Sequence, residues 1–167
     1  MGLVILMACL MVESKVSAAD GVLDSFMGSP ELDVQQIFQS QRFPNITVAM
    51  DGSVLASWGS KGVQVRRSVD GGESWSSPVV VQESGFQGGG ITVDEKTGDV
   101  LMFVEDSHPP APISIYRSKD HGQTWVKQET VMHPNSLGHL PSMHMNDHGS
   151  TLQFGKHAGR LIRPTRW

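Results

Sequence analysis

The sequence predicts an all-β fold, arranged as about two blades of a β-propeller with the start of a third. Three observations carry this. Ile46 to Gly59, "ITVAMDGSVLASWG", aligns with Ile91 to Asp106, "ITVDEKTGDVLMFVED", and each block runs on into a related turn, "SVDGGESW" at Ser68 to Trp75 and "SKDHGQTW" at Ser118 to Trp125. The apolar segments are short, rich in Val, Ile, Leu and Phe, and cut by Asp51-Gly52, Gly71-Gly72 and Thr97-Gly98-Asp99, residue types that close hairpins. No window sustains a helical period.

In chain order, an apolar run from Leu3 to Val12 is followed by the small residues Ser17, Ala18 and Ala19, which reads as a signal peptide over residues 1–19. The run is too short to span a bilayer comfortably, and no membrane span is expected in the mature chain. No Lys or Arg precedes it, so the natural start is expected upstream. Cys9, the only cysteine, falls in this leader, and the exported chain must then be held by packing rather than by disulfides.

Residues 20–167 read as the N-terminal part of the propeller domain. Its two units, Ile46 to Trp75 and Ile91 to Trp125, share one order: apolar strand, polar turn, apolar strand, variable loop, strand ending in Arg-Ser, turn motif. "VQVRRS" from Val63 and "ISIYRS" from Ile113 alternate as strands with one buried face. "SPVVVQE" and "VKQETVM" supply a fourth strand to each unit, giving a period of about 45 to 50 residues, that of a propeller blade. A third unit begins around "SMHMNDHGSTLQF" and "GRLIRPTRW". A closed ring needs at least about four blades, so the chain is expected to be part of a longer protein.

Composition narrows the function. With 38% hydrophobic and 18% charged residues the chain is globular. Its 13 basic and 17 acidic residues leave a net charge of -4 with no basic stripe, which argues against nucleic acid as a partner. The residues present imply no metal and no cofactor.

Both turns fit Ser-x-Asp-x-Gly-x-Ser/Thr-Trp, with Ser68, Asp70, Gly72, Ser74 and Trp75 in the first and Ser118, Asp120, Gly122, Thr124 and Trp125 in the second. Asp and Ser side chains can satisfy backbone N–H groups in a tight turn, Gly permits a positive φ, and Trp offers an apolar wedge. These residue types build a scaffold. With this pair the chain resembles the sialidase (neuraminidase) family, whose six-bladed propeller carries such Asp boxes on hairpin turns away from the active site. "QRFPNITVAMDGSVLA" at Gln41 to Ala56 is similar to the family's Arg-Ile-Pro segment, with Phe43 in place of Ile, and "GKHAGRLIRP" at Gly155 to Pro164 is similar to its Gly-Arg-Leu stretch.

The resemblance implies an exo-α-sialidase-like glycoside hydrolase, secreted or periplasmic, removing terminal sialic acid from glycoconjugates. The arginine before Ile-Pro binds the substrate carboxylate in the family, and that role falls on Arg42. A planar guanidinium offers a bidentate, permanently charged fork; the plainer reading is a surface arginine. The family's acid/base aspartate belongs in the loop "WGSKGVQ" at Trp58 to Gln64, which holds no carboxylate. That departure keeps open a noncatalytic propeller that binds sialylated or other carbohydrate. Glu105 and Asp106 occupy the corresponding loop of the second unit. Asp106 is a candidate substrate contact, and ordinary solvated loop charge fits both equally.

Sialidases use a tyrosine nucleophile activated by a glutamate. The one tyrosine here, Tyr116, lies in a blade strand, so it is expected to be structural and the chain by itself inactive. His144 and His148 in "HMNDH" read as loop histidines, since no helix is indicated. Strand alternation would send Arg163 to the face opposite Arg160 and Arg166. Asn45-Ile46-Thr47 is a glycosylation sequon, relevant only in a eukaryotic secretory pathway.

Overall fold

A computed structural model describes residues 34–39, 42–108, 111–142 and 148–165. The chain divides into two compact units, Met1–Gln35 and Gln36–Trp167. Of the first, only Val34 and Gln35 are described, so the leader reading lies outside the described residues.

The second unit is all-β, with no helix among its described residues. Its first sheet is a four-stranded antiparallel meander of β1 (Asn45–Val48), β2 (Val54–Trp58), β3 (Val63–Ser68) and β4 (Val79–Gln82). The second sheet has the same order and sense, with β5 (Ile91–Val93), β6 (Val100–Glu105), β7 (Ile113–Ser118) and β8 (Val126–Gln128). Two short strands, β9 (Ser150–Thr151) and β10 (Leu161–Ile162), pair with each other. The registers correspond: Val54 faces Ser68 across β2 and β3, and Val100 faces Ser118 across β6 and β7. The fourth strands are shorter than the apolar runs suggested, β8 stopping at Gln128 instead of continuing to Met132.

Period-2 alternation explains the core. Leu55 of β2 with Val63 and Val65 of β3 are buried against Ile91, Val100, Met102 and Val104 of the second sheet. On the other side of the first sheet, Ile46, Val48 and Val80 are largely exposed.

The sheets are also tied at the end that carries the hairpin turns. The Arg67 guanidinium of β3 donates to Asp51 Oδ2 in the β1–β2 turn at 2.6 Å, and its Nε–H donates to the His121 carbonyl of the second sheet at 3.1 Å. His121 Nδ1 stands 3.9 Å from the Asp51 carboxylate. Burial works to raise the Asp51 carboxyl. Hydrogen bonds from the Ser53 hydroxyl and N–H and from Arg67, with the charge of His121, outweigh that and hold it at about 2 against an ordinary 3.8. A carboxylate depressed in the folded state contributes stability that is complete above its unfolded value and lost as pH falls through the folded one. Acid unfolding of the wild type is therefore expected to draw on Asp51 between about pH 4 and pH 2. Asp51→Asn should be less stable at neutral pH and flatter across that window, as melting temperature against pH would show.

Candidate functional site

The two turn motifs close by the same hydrogen bonds. In the first, the Ser68 hydroxyl donates to Asp70 Oδ1 at 2.6 Å and accepts the Gly72 N–H at 2.8 Å. Asp70 Oδ1 accepts the Ser74 N–H at 2.9 Å, and Oδ2 accepts the Ser74 hydroxyl. In the second, Ser118 and Asp120 bond at 2.7 Å, Gly122 N–H reaches Ser118 Oγ at 2.7 Å, and Thr124 N–H reaches Asp120 Oδ1 at 2.8 Å. Bonds from Ser68 and then Ser74 depress the Asp70 carboxyl well below the usual carboxylate range. For Asp120, burial opposes the shift and the bonds from Thr124 and Ser118 prevail, again downward. A carboxylate so fully occupied as an acceptor cannot serve as a proton donor near neutrality.

Trp125 packs against the core and its indole N–H donates to the Gly122 carbonyl at 3.2 Å. Trp75 instead lines an open cleft of about 500 Å³ with Val65, Val79 and Gln123. Neither Arg42, Glu105, Asp106 nor Tyr116 lines that cleft.

The opposite end of the sheets is where Arg42 lies. Because β3 runs from the 59–62 loop to the Ser68 turn, the two loops sit at its two ends. The Gly59 N–H donates to the Arg42 carbonyl at 3.1 Å, and the Gly59 carbonyl accepts the Gln87 N–H at 3.0 Å. Arg42 is exposed, its guanidinium carbon is 4.8 Å from the centroid of the Phe43 ring, and no carboxylate pairs with it among the described residues. Phe43 packs on Phe86 with ring centroids 4.4 Å apart, and Phe86 meets the His108 ring at 5.6 Å. Phe86 and Glu105 exchange backbone hydrogen bonds of 2.7 and 3.0 Å, joining this end of the first sheet to the end of β6.

Of the two carboxylates read as loop residues, Asp106 lies on the loop and Glu105 does not. Glu105 is the last residue of β6 and is fully buried, with Oε1 accepting the Ser142 hydroxyl at 3.1 Å. Its side chain shares the face of Phe103, two residues back. Asp106 is exposed in the β6–β7 loop, where Oδ1 accepts the Ser114 hydroxyl at 3.1 Å and its N–H donates to the Pro112 carbonyl at 2.9 Å. The 59–62 loop, shorter than the segment first outlined because Trp58 and Val63 belong to strands, carries no carboxylate.

Tyr116 donates its hydroxyl to Gln82 Oε1 at 2.8 Å and packs against the core. Burial, and secondarily Asp106, push its phenol upward, the direction that disfavours a phenolate nucleophile. Arg163, after β10, is half-buried: it donates to Thr92 Oγ1 and to the Gly90 carbonyl, and stacks 4.4 Å from the Phe103 ring. Arg160 is exposed, while Arg166 and His144 lie outside the described residues. His148 Nδ1 donates to the Ile91 carbonyl at 3.1 Å. The sequon asparagine, Asn45, is committed to structure, its Oδ1 accepting the Ile91 N–H at 3.2 Å.

Sequence reasoning missed Gln87 and Phe86. Gln87 is fully buried and donates from Nε2 to the Ser57 hydroxyl at 2.7 Å, bridging the segment before β5 to β2. The Gly-rich run Gly88 to Gly90 beside it was a usable signal, because buried glycines mark close approach of backbone.

No family model matches the chain. It is 29% identical over 160 residues to a sialidase from Micromonospora viridifaciens, an alignment covering 75% of this chain and 25% of that protein. The chain thus spans about a quarter of the length of this curated relative. Among solved structures, it is similar to a protein of unknown function from Dyadobacter fermentans DSM 18053, at 22% identity and a TM-score of 0.43 over 60% of this chain and 39% of the other. The relationship to known proteins is sialidase-like, of the glycosidase type. No helix among the described residues is long and apolar enough to cross a membrane.

Proposed function

We propose that the chain contributes two adjacent β-propeller blades to an exported exo-α-sialidase-like glycoside hydrolase acting on terminal sialic acid of glycoconjugates. The observation that carries this reading is the position of Arg42: an exposed guanidinium, without a carboxylate partner among the described residues, at the end of the sheets remote from both Ser-Asp-Gly-Trp turns. A sialoside's planar carboxylate matches that fork. The distant sialidase relative supports the same substrate class. In this reading the turns are Asp boxes and Asp106, on a loop at the Arg42 end, is a second substrate contact.

The blade arrangement draws support from the two-sided character of the first sheet. Leu55, Val63 and Val65 are buried on one face, and the other carries the exposed Ile46, Val48 and Val80 beside the buried Ala56 and Trp58. A sheet apolar on both faces belongs in a stack with a neighbour on each side. The leader-like residues 1–19 motivate export.

A noncatalytic carbohydrate-binding propeller is the second reading, favoured by the 59–62 loop. A proton carrier would need to project from it, and it offers only Gly59, Ser60, Lys61 and Gly62. A fluorogenic sialoside assay on the protein carrying this chain, with calorimetric titration of a sialic-acid transition-state analogue, separates the readings. Turnover with binding supports the hydrolase, binding without turnover supports the lectin-like module, and neither removes sialic acid as the ligand in both readings. Arg42→Lys keeps the charge and loses the fork, so affinity for the analogue should fall by about 1.5 to 3 kcal/mol, the worth of a charge-assisted hydrogen bond. An unaltered affinity would take Arg42 out of the site.

A further inference from the structure

We infer that Phe43 is the positioning residue of Arg42, its ring serving as the platform that holds the guanidinium plane in register for a carboxylate. This rests on the reading of Arg42 as a carboxylate-binding group. Phe43 has φ 61°, a left-handed conformation that a bulky side chain adopts only when its surroundings enforce it. In an extended segment successive side chains point to opposite faces, which would separate residues 42 and 43. The positive φ breaks that alternation and leaves the Arg42 guanidinium carbon 4.8 Å from the centroid of the ring that follows it.

Both partners of this stack are anchored from behind. The Arg42 main chain is held by the Gly59 N–H, and Gly59 is held in turn by Gln87. The Phe43 ring rests on Phe86, which is 5% exposed and locked to Glu105 by a reciprocal pair of backbone hydrogen bonds. An exposed arginine normally samples many rotamers. An aromatic ring beneath the guanidinium carbon removes most of them at little cost, because the negative π face attracts the cation.

The geometry suits the chemistry of the ligand. A guanidinium binds a carboxylate through N–H groups that lie in its own plane, and a hydrocarbon ring 4.8 Å from its carbon offers no lone pair to compete for them. An aliphatic side chain at position 43 could fill the same space against Phe86 without supplying the attractive face. Phe43 therefore acts through Arg42, on acidic ligands alone, and need not touch them.

The test uses the protein carrying this chain and calorimetric titration with two probes, a sialic-acid transition-state analogue and its carboxyl-reduced alcohol. Phe43→Leu should weaken binding of the acid by about two- to fivefold, the range of an exposed cation–π contact, with the alcohol unaffected. Phe43→Tyr should restore acid binding, and the Phe43→Leu effect should vanish in an Arg42→Lys background. If Phe43→Leu does not fold, pentafluorophenylalanine at position 43 keeps the size and reverses the ring's quadrupole, and the same selective loss is expected. Equal losses for acid and alcohol, or effects of Phe43→Leu and Arg42→Lys that simply add, would reduce Phe43 to packing and overturn the inference while leaving Arg42 in the site. Arg42→Lys with undiminished acid affinity would overturn both.

Discussion

Gly59→Ala should be among the most damaging single-methyl additions in this chain, lowering stability by about 3 to 5 kcal/mol, the sum of backbone strain and overpacking against groups that cannot yield. Gly59 has φ 148°, outside the range that alanine accepts without strain. A Cβ built there would fall inside the Gly62 carbonyl oxygen, 2.8 Å from the Gly62 carbonyl carbon and 2.9 Å from Val63 Cα. All are backbone atoms at the start of β3, so relief requires opening the loop. Opening it breaks the hydrogen bonds from the Gly59 N–H to Arg42 and from the Gln87 N–H to Gly59. The substitution should therefore weaken binding of a sialic-acid analogue in whatever fraction remains folded, although the added methyl group would touch no ligand. Thermal denaturation with calorimetry on the folded fraction checks both parts. A melting temperature within a degree or two of wild type would show that the loop can open freely, and the account of how Arg42 is held would fail with it.

That loop also shows what was legible in the sequence and what was not. Strand and turn positions were readable because they rest on local patterns: alternation in "VQVRRS" and "ISIYRS", and Asp-Gly or Gly-Gly between apolar runs. The hydrogen bonds of each turn motif connect residues no more than four apart, so residue types alone suggested which groups could pair. Burial of Glu105 was not readable, since it depends on Ser142, thirty-seven positions later, covering the face that a loop residue would have left wet. Alternation was expected only to set Arg163 apart from Arg160 and Arg166, and nothing local pointed to the Thr92 hydroxyl, the Gly90 carbonyl and the Phe103 ring that it meets. Periodicity gives a side chain's face and says nothing of what the next sheet brings to that face. The left-handed backbone at Phe43 had no local signal at all, because Phe is not a residue that favours it.

Gly122→Ala is expected to cost about 2 to 4 kcal/mol, and Gly72→Ala at the matching turn position only about 1 to 2, the cost of backbone strain alone. Both glycines have positive φ, 88° and 102°, so that part of the penalty is common to them. Their surroundings differ. A Cβ on Gly122 would stand 2.6 and 2.9 Å from the two Leu55 methyl carbons, whereas one on Gly72 would meet only Trp75 at 3.7 Å. Leu55 is fully buried in the cluster shared by Val65, Val100 and Met102, and it cannot swing aside without displacing them. The second turn is thus packed into the junction between the two sheets, while the first presses on nothing comparable. Gly122 also carries the carbonyl that accepts the Trp125 indole N–H and lies next to His121, whose carbonyl accepts from Arg67. A methyl group here should loosen the sheet junction at two contacts together. Chemical denaturation of the two variants measures the difference directly. Equal losses would mean that the motif contributes only its own turn, and that the packing of the second turn on Leu55 contributes nothing to holding the sheets together.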